Sequence, residues 1–552
     1  MAETFDIDFS DDRLISIAAE KLDAHDYKGA LKMLNKNAVR SGNDEDSLML
    51  YAEIYDDIGL HSKSVNSWFK YLDCTACVGE ELAECYEGLA VGFMNLGNEH
   101  FSAYYYNKLL METDELDPEA REEILGEFLS SQENPLKFVY PPELADYDDV
   151  IASGTALMKE GKFDLAEREF DKVAEGNPKY LTARNFSAMC KIIDDRTDEA
   201  EQECLNILKS HPDDVQALTT LAAVKSEQGK REEAVGLAKR LLALNVTDAD
   251  EIYKIATVCC ENKMHGEAYE TFMKLPPEFD YDLNVLFFKA VSAFNCGRYA
   301  ESFDNFDTLL TVHPDSVTAR FWYRYARQSV RNNECGEMGY FYRLPQDMRE
   351  ATLKVLTAFM HLSEAGARKL ARTTDLTECI IWCFDECEGV GSELKKIACL
   401  AAVRAGLDGI VEDCLLNAFI DDKIKIDMLA EIGERNAPDS FGVVVCNIYR
   451  RVTCHRIAVS KKKNKQFVRA YARLFAHFSV LDDDYGETFA EAAEDLYARL
   501  EQEGRLDEVK RVDVLAAAIY AFSDIRLDEI AGRDIYAFFG VKESAVDKLL
   551  EK

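Results

Sequence analysis

One spacing dominates this sequence: between residues 147 and 348 a small side chain recurs every 34 residues. The recurring positions are Ala166, Ala200, Ala234, Ala268, Ser302 and Gly336. A second column, twelve residues upstream, holds Gly154, Ala188, Ala222, Ala256, Ala290 and Arg324. A third, four residues downstream, holds Phe170, Cys204, Ala238, Phe272, Phe306 and Tyr340. A fixed period of this length indicates a repeat array, in which each unit buries its apolar stripe against its neighbours.

These columns resemble the tetratricopeptide repeat, a pair of antiparallel helices with small residues at its eighth and twentieth positions and an aromatic residue at its twenty-fourth. The unit from Gly154 to Pro178 carries the pattern best. In such a unit the small residues let the first helix, A, approach the second helix, B, closely. The resemblance implies a binding scaffold for another protein, but it does not identify that protein.

The expected fold is all-α: a right-handed superhelical solenoid of antiparallel helix pairs, followed by a small helical C-terminal domain. Only 11 prolines and 28 glycines interrupt the 552 residues, which favours helices throughout. The expected divisions are three irregular tetratricopeptide units over 11–131, a proline-containing break over 132–146, six units over 147–348, HEAT-like helical repeats over 349–456, a basic linker over 457–466, and the C-terminal domain over 467–552.

Two further resemblances, in the C-terminal part of the sequence, rest on fewer residues than the tetratricopeptide resemblance. Two-helix units broken at glycines such as Gly389 and Gly406 resemble HEAT repeats. The end of the chain resembles a DNA-binding helix-turn-helix, with a first helix around 535–539 and a second beginning at Ser544. The start of this second helix lacks the Arg, Asn or Gln side chains that usually contact base edges, which favours packing or protein contact over DNA binding.

The tetratricopeptide resemblance places a ligand in a concave groove lined by the A helices. Carried onto this chain, the groove positions give as their most distinctive residues Asn185, Tyr253, Phe287, Phe294, Phe321 and Tyr325. Aromatic side chains at these positions predict an apolar or extended peptide as ligand. The alternative is that some of these aromatic residues only pack between units.

The sixth unit departs from the pattern, because arginines replace the small or apolar residues expected there. Four of them lie along one helical face: Arg320, Arg324, Arg327 and Arg331. One interpretation is a capping helix whose arginines are solvated or paired within the chain. The other is a contact site for carboxylates or phosphates, which the guanidinium fork fits well.

The formal net charge of −38 opposes general binding to nucleic acids or anionic membranes and favours basic partners. Residues 440–481 nevertheless contain no Asp or Glu. Further candidate contacts to an acidic partner in and around this block are Arg450, Arg451, Arg456, Lys461, Lys462, Lys463 and Lys465. The block favours pairing with the acidic surface of the chain itself. It also supports an alternative function: a nucleic-acid-associated regulator using residues 450–473, with Tyr449, Phe467 and Tyr471 stacking on bases.

We find no nucleotide-binding, metalloprotease or serine-hydrolase motif, and therefore expect a non-catalytic protein without a cofactor. The 16 cysteines are interpreted as reduced thiols. Cys379, Cys383 and Cys387 recur at helical spacing, and we attribute them to core packing rather than to a metal site. The acidic N-terminal sequence and the short apolar runs predict a cytoplasmic protein without a membrane segment.

Overall fold

The computed structural model describes residues 11–74, 80–112, 150–159, 161–173, 179–359, 362, 364–372, 375–385, 391–435, 439–459, 464–479, 485–523, 536 and 539–550. The chain divides into two compact units. One is Val139–Arg343, and the other combines Met1–Phe138 with Leu344–Lys552. The described residues are helical apart from loops and one two-stranded hairpin.

The unit Val139–Arg343 is a series of helices in which neighbours along the chain pack against each other. They are α7 (Val150–Lys159), α8 (Phe163–Phe170), α9 (Tyr180–Ile193), α10 (Thr197–Ser210), α11 (Val215–Glu227), α12 (Arg231–Leu242), α13 (Ala249–Glu261), α14 (His265–Phe272), α15 (Leu283–Asn295), α16 (Tyr299–Val312) and α17 (Val317–Asn332). The odd-numbered helices of this set are the A helices of successive repeats, and the even-numbered ones are the B helices.

Burial confirms the columns of the first five repeats. Ala200, Ala234 and Ala268 expose no surface, and neither do the aromatic residues Phe272 and Phe306. The 34-residue period also determines where helices begin. Four A helices are capped at their N-terminus by a side chain, and these capping residues are 34 residues apart. The capping residues are Asp214, Asp248, Asp282 and Ser316, each accepting a hydrogen bond from the backbone three residues on, at 2.7–3.0 Å.

The sixth repeat differs from the expectation of a helix pair. Helix α17 ends at Asn332, its C-cap Asn333 adopts a left-handed conformation with φ of 56°, and the next helix begins only at Gln346. Gly336 and Gly339 lower the helix propensity of this segment. The sequence positions that would hold the small residue and the aromatic residue of a B helix therefore belong to an extended segment.

The second unit begins with three helix pairs, followed after residue 344 by further helices and the hairpin. The N-terminal helices are α1 (Asp11–Asp23), α2 (Tyr27–Ser41), α3 (Glu45–Asp57), α4 (His61–Cys74), α5 (Glu80–Asn95) and α6 (Glu99–Glu112). The later elements are α18 (Gln346–Phe359), α19 (Glu364–Ala371), α20 (Leu376–Trp382), α21 (Ser392–Ala405), α22 (Asp408–Leu416), α23 (Asp422–Glu434), β1 (Asp439–Val445), β2 (Ile448–Cys454), α24 (Lys465–Phe478), α25 (Gly486–Gln502), α26 (Val512–Phe522) and α27 (Glu543–Leu550).

The hairpin lies within a range expected to be helical, and it packs on the N-terminal helices. Strands β1 and β2 pair in antiparallel register from Asp439 opposite Cys454 to Val445 opposite Ile448. Cys446 and Asn447 form the two-residue turn with φ of 51° and 56°, as a tight hairpin turn requires. Val444 and Ile448 share one hydrophobic cluster with side chains of α4, α5 and α6.

Hydrogen bonds fix this contact. The Tyr105 hydroxyl donates to the Asn447 carbonyl at 2.6 Å, and Asp73 accepts from the Tyr449 hydroxyl at 2.9 Å. Gly442 is required there, since a Cβ atom at this residue would lie 2.2 Å from an Asp73 carboxylate oxygen. The N-terminal helices and the hairpin therefore share one hydrophobic cluster.

Two expectations about the second unit stay predictions. Helix α21 packs against α18, α19, α20, α22 and α23, which is not a simple succession of helix pairs, and the HEAT resemblance is not confirmed. Helix α27 packs on α26, but most of the first helix expected for a helix-turn-helix lies outside the described residues, as does the proline-containing break at 132–146. Among the described helices, none is long and apolar enough to cross a membrane.

Candidate partner-binding groove

The segment that follows α17 lies against the A helices of the last three repeats. We call residues 334–343 the strap. Its side chains alternate: Met338 and Tyr342 are buried and Tyr340 is half-buried, whereas Gly339 and Phe341 are exposed. Such alternation is typical of an extended chain lying on a surface. The strap therefore contacts the helices as an extended peptide would.

The first anchor of the strap is a pair of hydrogen bonds to its backbone. The Asn295 amide nitrogen donates to the Met338 carbonyl at 2.9 Å, and the Met338 amide donates to the Asn295 side-chain oxygen at 2.8 Å. Asn295 is the last residue of helix α15. One side chain thus satisfies both backbone polar groups of Met338, a residue outside any helix or strand.

The second anchor is Tyr340. Its hydroxyl lies 2.8 Å from Nδ1 of His265, and the two rings stack with centroids 5.7 Å apart. Burial lowers the pKa of His265, which favours the neutral imidazole and lets Nδ1 accept a hydrogen bond from the tyrosine hydroxyl. Tyr340 also packs against the cluster that contains Tyr253 and Phe288.

The remaining contacts hold both ends of the strap. Lys263 pairs with Glu337 at 2.8 Å. The Tyr342 ring meets Phe287 edge-on with centroids 5.0 Å apart, and its hydroxyl is hydrogen-bonded to Ser316. The indole of Trp322 donates to the Arg343 carbonyl at 3.0 Å. The strap therefore runs antiparallel to α15, from Asn295 at the helix's C-terminal end towards its N-terminal end.

These contacts revise the expected groove residues. Phe287 and Phe294 are 0% and 2% exposed, so neither ring lines an open surface while the strap is bound, and their role in binding a partner stays a prediction. Tyr253 is half-buried and packs between the rings of Phe272 and Phe288, which agrees with the alternative that some aromatic residues pack between units.

The other three groove residues lie in different surroundings. Phe321 and Tyr325 stack on each other in α17 with centroids 6.4 Å apart, and Tyr325 is 38% exposed. Asn185 is buried, and its side-chain amide donates to Asp214 at 3.2 Å, while its side-chain oxygen has no hydrogen-bond partner within the described ranges. Their role in binding a partner stays a prediction.

The arginine face of α17 is largely open. Arg324 and Arg331 are exposed and make no ion pair with a described carboxylate. Arg327 lies over the Tyr323 ring at 5.5 Å, and Arg320 donates to the Asp315 carbonyl at 3.4 Å. In the strap, Phe341 is 64% exposed, with the Arg343 guanidinium 4.7 Å from its ring.

The basic block of residues 440–481 is partly neutralised within the chain. Arg451 pairs with Asp73 at 2.9 Å, Arg469 with Glu434 at 3.6 Å and Arg473 with Asp513 at 2.5 Å. Arg450 is half-buried, whereas Arg456 and Lys465 are exposed. Lys461, Lys462 and Lys463 lie outside the described residues.

The aromatic residues of the same block are not free to stack on bases. Phe467 and Tyr471 expose no surface, and the Tyr449 hydroxyl is bound to Asp73. The expectation that these rings could stack on bases is therefore wrong for Phe467 and Tyr471. The described part of the chain also contains no group of three His, Cys, Asp or Glu side chains that could hold a metal ion. Cys383 is buried, and Cys387 lies outside that part.

The described part of the chain has the fold of a helical-repeat protein, built from successive pairs of antiparallel helices. Residues 151–215 match the sequence model of the tetratricopeptide repeat family. The chain therefore contains tetratricopeptide repeats, as the 34-residue columns predict. No functionally curated protein matches the sequence.

Several solved structures are similar to the chain. A tetratricopeptide repeat protein from Parabacteroides merdae is 18% identical, with 48% of this chain and 91% of that chain covered and a TM-score of 0.22. The C-terminal part of a tetratricopeptide repeat protein from Cytophaga hutchinsonii is 11% identical, with 56% and 98% covered and a TM-score of 0.17. The Cut9–Hcn1 hetero-tetramer of the APC/C contains a chain that is 13% identical, with 98% and 97% covered and a TM-score of 0.25. These values carry no information on function.

Proposed function

We propose that this protein is a non-catalytic interaction scaffold that binds an extended segment of a partner protein along the A-helix face of residues 147–348. The observation that supports this most directly is the strap. The A helices already hold an extended segment through the backbone of Met338 and the side chains of Tyr340 and Tyr342. A surface that binds extended backbone in this way has the chemistry required for a peptide ligand.

The first three repeats offer the same face without a described segment on it. There the buried side-chain oxygen of Asn185 has no hydrogen-bond donor among the described residues, and a backbone amide of a partner that reaches it would satisfy it. Ile193, at the end of α9, is 55% exposed and offers an apolar contact. We infer that this part of the groove receives the partner first.

The arginine face adds a second contact. Arg324 and Arg331 form no ion pair in the described part of the chain, although the whole sequence carries 102 acidic residues. We propose that these two arginines contact carboxylates of the partner. The exposed residues Arg456 and Lys465 are weaker candidates of the same kind, because each is a single exposed charge.

Site-specific photocrosslinking tests this proposal. A photoreactive amino acid is introduced at Ile193, at Tyr325 or, as a control, at Leu205, which is 39% exposed on the B helix α10. We expect the first two positions of the full-length protein to crosslink to the same polypeptide in a cell extract and the control position to give no such product. Equal crosslinking at all three positions, or none at the two groove positions, would refute the groove proposal.

A further inference from the structure

We propose that the strap, residues 334–343, is a built-in ligand of the groove in the last three repeats, and that the partner segment carries the chemistry of the strap. The inference rests on the proposed function and identifies the kind of partner. That partner is an extended segment with a carboxylate, followed three and five residues later by tyrosines, as in Glu337, Tyr340 and Tyr342.

The polar contacts argue for a ligand rather than a simple cap of the repeats. A cap needs only apolar side chains to cover the last helix. The strap is instead held by side chains from three successive repeats: Lys263 and His265 around α13 and α14, Asn295 on α15, and Trp322 on α17. Two of these, Asn295 and Trp322, bind its backbone. Backbone contacts of this kind accept any segment that can present the right side chains.

The side-chain contacts define the specificity. Tyr340 needs an acceptor for its hydroxyl and finds Nδ1 of His265, whereas Tyr342 needs a partner for a hydroxyl that is nearly buried and finds Ser316. Phenylalanine at either position would remove one hydrogen bond to the groove, the one with Nδ1 of His265 or the one with Ser316. The groove therefore favours tyrosine over phenylalanine at both positions.

A segment of the same chain has a large advantage over a separate ligand, because it is tethered beside its site. A partner reaches this part of the groove only in the fraction of molecules whose strap is open. Its apparent affinity is therefore its intrinsic affinity multiplied by that fraction. The exposed aromatic ring of Phe341 belongs to the strap itself, and the open arginines of α17 lie on the helix that precedes the strap. They remain available to a partner while the strap is bound.

The test uses full-length protein and a labelled peptide with the sequence of residues 334–343, carrying Cys335→Ser to prevent oxidation. In a strap-replaced variant, residues 334–343 become a glycine–serine linker of equal length. Fluorescence anisotropy should show that this variant binds the peptide, and that the wild-type protein binds it about tenfold more weakly or worse. The peptide with Tyr340→Phe and Tyr342→Phe should bind the variant about tenfold more weakly than the unchanged peptide.

The helical content of the strap-replaced variant is measured by circular dichroism, so that the test still decides if this variant loses helical structure. In that case, saturating peptide should restore the helical signal, because a bound ligand stabilises the folded state. A variant that keeps its helices and does not bind the peptide would overturn the inference. So would a variant whose lost helices the peptide fails to restore, or wild-type protein that binds as tightly as the variant.

The two proposals fail in distinguishable ways. If groove positions crosslink to a partner but the strap peptide does not bind the strap-replaced variant, the scaffold function stands and the strap is only a cap. If the peptide binds but the groove positions crosslink to nothing, the internal ligand stands and the function proposed for the groove of the whole array fails.

Discussion

Lys425 gives the sharpest quantitative prediction, because its ammonium group is buried in the core of the second unit. It is 0% exposed, donates to the Val444 carbonyl of the hairpin, and lies 3.8 Å from Asp422. Burial lowers the pKa of Lys425 from 10.5 to about 8, and the nearby Asp422 only partly opposes this shift. The folded protein therefore binds this proton more weakly than the unfolded chain does.

The sign and size of the effect on the free energy of unfolding follow from the difference in the pKa of Lys425 between the folded and unfolded states. One pKa unit corresponds to about 1.4 kcal/mol, so the shift costs the folded state about 3 kcal/mol while the lysine is charged in both states. The cost is present in full below pH 8. It is lost as the pH rises from 8 towards 10.5, so the wild-type protein gains stability over this range relative to a variant that lacks the lysine.

The variant is Lys425→Met, which keeps the length of the side chain. The quantity to compare is the free energy of unfolding of the variant minus that of the wild type. We expect this difference to be about 2–3 kcal/mol smaller at pH 10 than at pH 7. At pH 7 it should be as stable as the wild type or more stable, because a buried charge is replaced by an apolar group. Urea unfolding followed by circular dichroism at constant ionic strength gives both values.

The control is Lys423→Met, on the same helix but exposed. Its difference from the wild type should be the same at both pH values within a few tenths of a kcal/mol. The reasoning is refuted if the Lys425→Met difference is also independent of pH, because the ammonium group would then be hydrated in the folded protein.

Three further predictions concern packing and charge. Phe272→Ala should lower the free energy of unfolding by about 3–5 kcal/mol in urea titrations, because the ring is fully buried. The neighbouring Met273 side chain is 54% exposed, so Met273→Ala should change this free energy by less than about 0.5 kcal/mol. Arg324→Glu with Arg331→Glu should leave the melting temperature unchanged, since neither side chain has an ion-pair partner in the described residues, while weakening capture of the partner at low salt; unchanged capture would exclude the arginine face. Gly442→Ala should destabilise the hairpin contact by about 1–3 kcal/mol through overpacking, measured by urea unfolding, and an unchanged midpoint would show that the hairpin does not sit tightly on α4.

The regular part of the fold could be predicted because spacing alone determines it. Small residues such as Ala200 and Ala234 occur where two helices approach closely, and both are fully buried. The hairpin also has a signal in the sequence, but the helical periodicity of the surrounding residues obscures it. The run Phe441–Val445 is rich in β-branched residues and is followed by the turn residues Cys446 and Asn447, a pattern that favours a hairpin.

The candidate site was harder to predict because position in a repeat does not fix exposure. Phe287 occupies a groove position, but Tyr342 of the strap covers it. The strap itself shows alternating large side chains at Met338, Tyr340 and Tyr342. Such alternation indicates an extended segment, but only the structure shows which surface covers those side chains.

Amide hydrogen exchange in the strap of the full-length wild-type protein tests the central claim most directly. The account predicts that residues 334–343 are protected in the free protein despite their lack of regular secondary structure, since Asn295 binds the Met338 amide. It further predicts that they exchange faster once the crosslinked partner, purified and added in excess, is bound, while helix α15 stays protected. Exchange in the strap that is as fast as in an unstructured peptide before the partner is added, or unchanged protection after the partner has bound, would contradict the account.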